Sequence, residues 1–364
     1  MPIRSKRGMR VYACDSCGLL QSVPTTPYVS RPPGNLSSDA DRSSHRYTKT
    51  LTNQSYEPFI RAVPWGPSPR ILDVGSNRGV FAQSILSRVP SAELVCIEPD
   101  PGMEAEIYDR DEVVLHRRRF EETKLESSSF DFIFCAHTLE HAYSARTMLK
   151  EFERLLRPGG TLFLAVPNTL LYDDVIEELF IDPHTFHFEY AILKGFAEAI
   201  GFEVRKSSDP ADHEIRLLLR KRNTPHTNFI SLGTSVFDLE GYSALVKSNR
   251  KRLQLACRRL ERRASRNGLV VWGAGRILDS LFAAGTLSTN RILGVVDSFL
   301  HQITPVVRGL QVVAPDSIPP SWLKARLLVA SRDYSEEIRF RATELGFQNI
   351  ETFLEMWHED ESAA

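Results

Sequence analysis

The chain has few cysteines and no long apolar runs. Its 364 residues include only 5 cysteines, too few for a disulfide scaffold, and an odd number cannot all pair. No stretch approaches the roughly 18 consecutive apolar residues of a membrane helix. The basic start MPIRSKRGMR is not followed by an apolar core of about 7–15 residues, as a secretory signal would be. These absences favour a cytoplasmic protein that does not enter a membrane.

Net charge is also nearly absent. Lys and Arg number 45 against 46 Asp and Glu, for a net charge of -1, so no general attraction to nucleic acid or to anionic lipid follows. Hydrophobic residues at 42% and charged residues at 25% are typical of globular proteins. At about 150 residues per domain, the length predicts two to three domains.

Apolar bursts alternate with helical stretches from Ser68 onward. RILDVG, AELVCIEPD, FDFIFCAH and GGTLFLAVPN have the pattern of short buried strands, and LVVWGAG, ILGVVDS, LQVVAP and ARLLVAS repeat it from Gly268. The predicted fold class is α/β, with a Rossmann-like core, a second and smaller Rossmann-like domain, and a small N-terminal arm. The predicted boundaries are 1–45 for the arm with its CxxC, 46–222 for the first α/β domain, 223–267 for a helical linker, 268–357 for the second α/β domain and 358–364 for an acidic tail.

The most informative stretch is RILDVGSNRGVF, in which a strand ends and a helix begins. Between them lies the loop Gly75, Ser76, Asn77, Arg78 and Gly79. Glycines let backbone approach a ligand closely, and the helix start presents free N–H groups that a phosphate or an amino-acid carboxylate could use. A plain tight turn is the alternative. Glu98 follows about 20 residues later, at a strand end, where a carboxylate can accept two ribose hydroxyl hydrogen bonds. Together the loop and the acid favour a nucleoside ligand.

With these features the chain resembles the class I S-adenosylmethionine-dependent methyltransferases over about Ser68 to Lys221. The matching motifs are DVGSNRG, IEPD, FDFIFCAHTLEH and LLRPGGTLFLAVPN, in the family's order. The resemblance implies S-adenosylmethionine as the cofactor, with Glu98 on the ribose hydroxyls, Phe120 near the adenine and His137 facing the methionine. The cofactor-binding residues that it implies are Asp73, Gly75, Ser76, Asn77, Gly79, Glu98, Pro99, Phe120, Ala136 and His137. A dinucleotide site for hydride transfer is the competing interpretation, but the loop lacks a full G-x-G-x-x-G.

Methyl transfer is an in-line displacement at a sulfonium, so the protein mainly positions the reactants. A base is needed only where the acceptor must lose a proton, and histidine titrates near neutrality. The predicted catalytic residues are His141, His184 and His187. His141 follows the fourth predicted strand together with Glu140, and the alternative is that this pair caps the next helix. His184 and His187 lie in the aromatic segment DPHTFHFEY, for which we predict a role in the acceptor pocket.

The GSN loop and the histidine segment resemble one branch of the family, the nucleotide-sugar C-methyltransferases and related polysaccharide-cluster enzymes. That branch joins a zinc-binding N-terminal segment, a methyltransferase core and a C-terminal Rossmann-like domain. The resemblance implies a nucleotide-linked sugar or glycan precursor as the small-molecule acceptor. The chain departs from the branch at Pro183-His184 and at 212–215, so C-, O- and N-methylation stay open. The alternatives are methylation of RNA or another polyanion through the basic helix at 247–263, and a non-catalytic scaffold.

Two further motifs keep two interpretations each. Cys14 and Cys17 have the spacing of a zinc knuckle. Zinc there would need other ligands, such as His45 or a second chain, and a remnant knuckle without metal is the alternative.

In the second α/β domain, GAG at 273–275 with Asp297 forms an incomplete dinucleotide fingerprint. It predicts either a sugar-nucleotide module or a structural platform, which could support a homodimer.

Overall fold

The structure is a computed structural model, and it describes part of the chain. The described residues are 3–4, 10–23, 55–170, 179–180, 184–222, 235–264, 267–283, 287–298, 300–302, 304–332 and 334–358. They divide into two compact units, one reaching to Leu239 and the other beginning at Glu240. His45 and Pro183 lie outside the described residues.

The first unit is built on a seven-stranded sheet with the order β10-β11-β8-β7-β4-β5-β6. Its strands are β4 (Arg70–Val74), β5 (Glu93–Ile97), β6 (Val113–His116), β7 (Phe130–Ala136), β8 (Leu156–Pro167), β10 (Phe202–Ser207) and β11 (Glu214–Lys221). Strands β6, β5, β4, β7 and β8 run parallel; β11 is antiparallel to β8, and β10, antiparallel to β11, runs in the direction of the parallel strands. The order reverses between β4 and β7, and ligands bind at such a switch point in open α/β sheets.

Helices cover both faces of this sheet. They include α1 (Val80–Arg88), α2 (Ala145–Leu155) and α3 (Tyr190–Ile200), and residues 55–60 are also helical. Alternate strand residues point to opposite faces, so Leu72 and Ile133 pack with α2 and α3, while Ile71 and Phe132 pack with α1. Burial on both faces is the reason that the parallel strands have nearly continuous apolar sequences.

A small antiparallel sheet combines three strands from the start of the chain with one that follows β8. It consists of β1 (Ile3–Arg4), β2 (Arg10–Ala13), β3 (Leu20–Val23) and β9 (Phe186–His187). Strands β2 and β3 form a hairpin whose turn contains Cys14 and Cys17. Pairing of β3 with β9 joins this hairpin to the histidine segment, with Leu20 opposite His187.

The second unit is a six-stranded sheet with the order β14-β15-β13-β12-β16-β17. Its strands are β12 (Leu269–Trp272), β13 (Ile292–Val296), β14 (Val306–Val307), β15 (Leu310–Val313), β16 (Arg326–Val329) and β17 (Asn349–Thr352). Its helices are α4 (Leu239–Arg263, all but its first residue), α5 (Arg276–Ala283), α6 (Ser335–Glu344) and α7 (Phe353–His358). All pairs except β14–β15 are parallel, which is a Rossmann-like arrangement.

The predicted fold class is confirmed by these two sheets. The helix predicted as a linker contributes Leu253, Ala256 and Leu260 to the apolar core of the second unit. The predicted domain boundaries otherwise stay predictions. Among the described residues, no helix is both long enough and apolar enough to cross a membrane.

Candidate functional site

The loop after β4 has a backbone that suits glycine. Gly75 has φ 75° and Gly79 has φ 65°, both in the left-handed region. A Cβ on Gly75 would collide with the hydroxyl of Thr138, and one on Gly79 would collide with Ile107. Asn77, with φ 50°, is one of the few other residue types that tolerate this region. This conformation lets the backbone of the loop approach a bound ligand closely.

Asp73, next to last in β4, carries a carboxylate that lacks a partner. The residue is 1% exposed, and neither oxygen has a hydrogen-bond partner among the described residues. Burial, with the nearby charge of Glu98, raises the pKa of Asp73 well above its usual range. A buried acid without partners is costly, so this one fits a cationic group such as the ammonium of the methionine moiety.

Glu98 lies directly after β5 at the same edge of the sheet. Its two oxygens accept hydrogen bonds from the backbone amides of Asn77 and Asp100, each at 2.8 Å. Burial raises the pKa of Glu98, although those two bonds oppose the shift. Each oxygen keeps a second lone pair that a ribose hydroxyl can use. Pro99 is half-buried beside it. The orphaned acid, the glycine loop and Glu98 thus fit S-adenosylmethionine.

The side chains of Ser76 and Tyr108 form hydrogen bonds that stabilise this loop. The hydroxyls of Ser76 and Tyr108 are 2.9 Å apart, and the Tyr108 hydroxyl donates to the carbonyl of Asn77 at 2.5 Å. Burial raises the pKa of Tyr108, so its phenol stays protonated. Sequence reasoning missed Tyr108 because it lies in a short 3-10 turn, Glu106–Asp109, without a motif.

The remaining predicted cofactor residues lie in two places. Ala136 ends β7 and is half-buried, and His137 follows it with φ 50°. Phe120 is 7% exposed, and its ring packs on Phe152 with centroids 4.9 Å apart. Its predicted place beside the adenine stays a prediction.

His137 lies between two carboxylates. Its Nε2 is 2.5 Å from Oε1 of Glu214, and its Nδ1 is 3.6 Å from Oε1 of Glu140. Desolvation opposes protonation, but the two acids outweigh it and raise the pKa of His137 to about 10. Tyr56 donates to the same oxygen of Glu214 at 2.7 Å. His137 is therefore a cation near pH 7.

Sequence reasoning did not assign Glu214 or Tyr56 to the site. Glu214 begins β11 and pairs with Pro167, at the carboxyl end of β8. Because β11 runs antiparallel, its first residue lies at the edge where the parallel strands end. Recognising β11 as an antiparallel return would have placed Glu214 there; no comparable signal pointed to Tyr56.

The described residues contain one group of side chains suited to a metal ion, formed by Glu140, His141 and His184. One potential ligand atom from each lies within 4.8 Å of the others. The His141 and His184 rings meet edge to face with centroids 4.7 Å apart. A hydrogen bond from the Thr185 amide to the Glu140 carbonyl, 2.8 Å long, connects their two segments. Two predicted catalytic histidines thus lie together, beside Glu140.

His187, the third predicted catalytic residue, lies deeper. It is 5% exposed, and its Nε2 is 2.5 Å from the hydroxyl of Ser22. Burial lowers the pKa of His187 to about 3, so the imidazole is neutral and a weak base. Its ring is 6.4 Å from that of His184, centroid to centroid.

The predicted zinc pair is half-buried in its hairpin turn. A bond from the Gly18 amide to the Cys14 carbonyl closes the turn at 2.8 Å. Hydrogen bonds to the thiolate lower the pKa of Cys14, and burial raises that of Cys17. No third ligand completes a metal-binding group with Cys14 and Cys17 among the described residues. Zinc at this turn stays a prediction.

The second unit uses its fingerprint acid internally. Asp297 accepts hydrogen bonds from the amides of Ala274 at 3.0 Å and Leu300 at 2.7 Å. Gly273 has φ 111°, and a Cβ there would lie 2.8 Å from the carbonyl oxygen of Ala330. Strand packing accounts for this glycine. The structure gives no separate indication of a dinucleotide.

Part of the basic helix also serves the second unit. The Arg252 guanidinium lies 4.1 Å from the Trp357 ring centroid, and Arg263 is 3.1 Å from a carboxylate oxygen of Glu351. These cations stabilise the packing of α4, which weakens the case for a nucleic-acid surface.

Comparison with known proteins supports the interpretation of the first unit as a methyltransferase fold. Residues 72–164 match the family model described as a methyltransferase domain. This part of the first unit is therefore similar to a methyltransferase domain. S-adenosylmethionine is the cofactor that this domain implies, as the sequence predicted. The match begins at Leu72 in β4 and ends at Leu164 in β8, so it spans the loop, Glu98 and the His137 edge.

Curated relatives match over the same region at low identity. A ubiquinone biosynthesis O-methyltransferase from Xanthomonas campestris pv. campestris (strain B100) is 26% identical over 106 residues, covering 28% of this chain and 44% of that protein. Its counterpart from Hahella chejuensis (strain KCTC 2396) is 27% identical over 106 residues, with the same coverage. The chain therefore spans less than half the length of the curated relatives it matches.

Solved structures resemble the chain more loosely. A complex of the Haloferax volcanii Trm112 methyltransferase activator with a methyltransferase has TM-score 0.43 and 16% identity, covering 51% of this chain and 97% of that chain. An S-adenosylmethionine-dependent methyltransferase from Mesorhizobium loti has TM-score 0.40 and 14% identity, covering 47% of this chain and 100% of that chain.

Proposed function

We propose that this protein transfers the methyl group of S-adenosylmethionine to a hydroxyl group of a small molecule. The observation that carries the proposal is the orphaned, buried carboxylate of Asp73 beside a left-handed glycine loop, with Glu98 at the end of the neighbouring strand. These groups meet at the switch point of the sheet, where such ligands bind.

The histidine pair supplies the acid–base chemistry in this proposal. S-adenosylmethionine supplies a methyl carbon bonded to a positively charged sulfur. The acceptor O–H gives its proton to a ring nitrogen of His184 or His141, and the oxygen attacks the methyl carbon. A C–O bond forms as the C–S bond breaks, and its electron pair leaves with the sulfur, which becomes neutral. His187, buried and neutral, holds the segment in place.

The first candidate acceptor is a nucleotide-linked sugar or glycan precursor. Support comes from the arrangement of the chain, in which a CxxC hairpin precedes the methyltransferase domain and a Rossmann-like unit follows it. The second candidate is an aromatic hydroxyl, favoured by relatives named for O-methylation in ubiquinone biosynthesis. Both acceptors present a hydroxyl that must lose a proton.

The test is a methyl-transfer assay of the full chain with S-adenosylmethionine labelled in its methyl group. Acceptors would be a panel of sugar nucleotides and a panel of catechols, with products identified by mass. We expect label in one panel, and a loss of at least tenfold in transfer for His184→Gln, relative to the exposed control His213→Gln. Absence of both cofactor binding and label would overturn the proposal.

A further inference from the structure

Glu140 is a buried carboxylate that faces the imidazoles of His137 and His141. Its side chain is 2% exposed, and neither oxygen has a hydrogen-bond partner among the described residues. The nearest cationic or potentially cationic atoms are Nδ1 of His137 at 3.6 Å and Nε2 of His141 at 4.0 Å. At these distances neither imidazole forms a hydrogen bond to Glu140, so both of its oxygens keep lone pairs that a metal ion could use.

The protein backbone holds the other two side chains beside that carboxylate. The Thr185 amide donates to the carbonyl of Glu140, and the Arg119 guanidinium donates to the carbonyl of His141, both at 2.8 Å. His184 directly precedes Thr185, so the first bond fixes its distance from the Leu139–His141 turn. His141 and His184 are both half-buried, so each remains partly accessible to solvent.

We propose that Glu140, His141 and His184 form a binding site for a divalent transition-metal ion. Two imidazoles and one carboxylate are ligands suited to zinc, manganese, iron or cobalt, whereas calcium and magnesium prefer oxygen alone. Metal–ligand bonds of about 2.0–2.2 Å require neighbouring ligand atoms about 3 Å apart. The present limit of 4.8 Å means that side-chain rotation must draw the three atoms inward by about 1–2 Å.

Three protein ligands leave coordination positions vacant for an acceptor. This part of the inference rests on the proposed function. With His141 and His184 engaged as ligands, a metal ion here would take over the role that the proposed function gives to a histidine base: it would bind the acceptor oxygen and lower the pKa of its hydroxyl, whose proton would pass to solvent. A sugar diol or a catechol can occupy two neighbouring positions. The metal would thus orient both acceptor candidates in the same way.

The test separates this site from the cysteine pair. The full chain would carry Cys14→Ser and Cys17→Ser, be stripped with a chelator, and be titrated calorimetrically with zinc, and with cobalt while its visible spectrum is followed. Neither S-adenosylmethionine nor an acceptor is present. We expect about one bound ion per chain and a cobalt spectrum without thiolate charge-transfer bands.

Variants identify the ligands. Glu140→Gln and His184→Gln, in the same background, should each weaken zinc binding at least tenfold, while the exposed His213→Gln should bind as the parent does. Circular dichroism confirms that each variant is folded. No ion bound by the parent, or equal affinity in Glu140→Gln and His184→Gln, would overturn the inference.

A parallel titration with S-adenosylhomocysteine distinguishes the two proposals. Binding of S-adenosylhomocysteine without binding of metal would remove the metal site and leave the proposed function intact. Binding of metal without S-adenosylhomocysteine would remove the proposed function and leave an ion site of another purpose.

Discussion

At the scale of the residue, the proposed cofactor site depends most on Asp73. Its carboxylate is buried, orphaned and raised in pKa, so the folded protein carries a cost that a cationic ligand relieves. Replacement by asparagine keeps the shape and removes the charge. We expect Asp73→Asn to weaken S-adenosylhomocysteine binding about 10- to 100-fold, since a hydrogen bond to a charged group is worth about 1.5–3 kcal/mol.

The same substitution should not destabilise the fold. Because the pKa of Asp73 is raised in the folded protein, ionisation of this carboxyl destabilises the native state as the pH rises. Removing the charge should therefore leave the free energy of unfolding at pH 8 equal or higher. Glu112→Gln, at an exposed position, is the control for calorimetry and urea unfolding. Unchanged cofactor affinity in Asp73→Asn would remove Asp73 from the site.

His187 gives the protein a pH dependence of stability. Its pKa is lowered to about 3 by burial, so the unfolded chain binds its proton first as the pH falls. The free energy of unfolding is therefore unaffected by this group above the unfolded pKa of about 6.5. Below that pH it falls by about 1.4 kcal/mol per pH unit, until the folded pKa of about 3 is reached. Urea unfolding between pH 7 and pH 5 should show a shallower loss in His187→Gln than in the parent. Parallel curves would contradict the burial of a neutral imidazole.

Residue roles were predictable where a motif fixed them. Asp73 and Glu98 lie where the first loop and the next strand end predict, at one edge of the sheet. Glu214 was missed because its neighbour in space, His137, is far away in sequence. His187 illustrates a second limit, because the histidine pattern does not say which ring faces a pocket and which one packs against Ser22.

At the scale of the element, the turn from β4 to α1 depends on its glycines. Gly75 adopts φ 75°, and a Cβ there would collide with Thr138. We expect Gly75→Ala to cost about 1–3 kcal/mol of stability and to weaken cofactor binding. Gly66, whose Cβ would meet nothing within 4 Å, is the matched control, and Gly66→Ala should change stability by less than about 0.5 kcal/mol. Equal unfolding midpoints for the two variants would show that the loop is not strained.

Most strands were predictable because burial on both faces makes them continuous apolar runs. Strands β4, β5, β7 and β8 coincide with RILDV, ELVCI, FDFIFCA and the end of LRPGGTLFLAVP. The pairing of β3 with β9 was not predictable, since it joins two short segments more than 160 residues apart. The sequence likewise did not reveal that α4 packs into the second unit, because an amphipathic helix does not name its partner.

At the scale of the whole molecule, two α/β units each present a glycine turn followed by an acid. These acids, Glu98 and Asp297, each accept hydrogen bonds from two backbone amides, so they do not distinguish the units. The first unit differs in Asp73, a buried acid before its glycine turn that has no hydrogen-bond partner among the described residues, which favours the first unit as the one that binds a cationic ligand. This contrast underlies the central claim that the chain binds S-adenosylmethionine through its methyltransferase domain.

The most direct test is calorimetric titration of the full chain with S-adenosylmethionine, S-adenosylhomocysteine and NAD in parallel. The account predicts micromolar binding of the first two, abolished or strongly weakened in Asp73→Asn, and no binding of NAD. Binding of NAD alone would contradict the account and would move the working site to Gly273, Gly275 and Asp297 of the second unit.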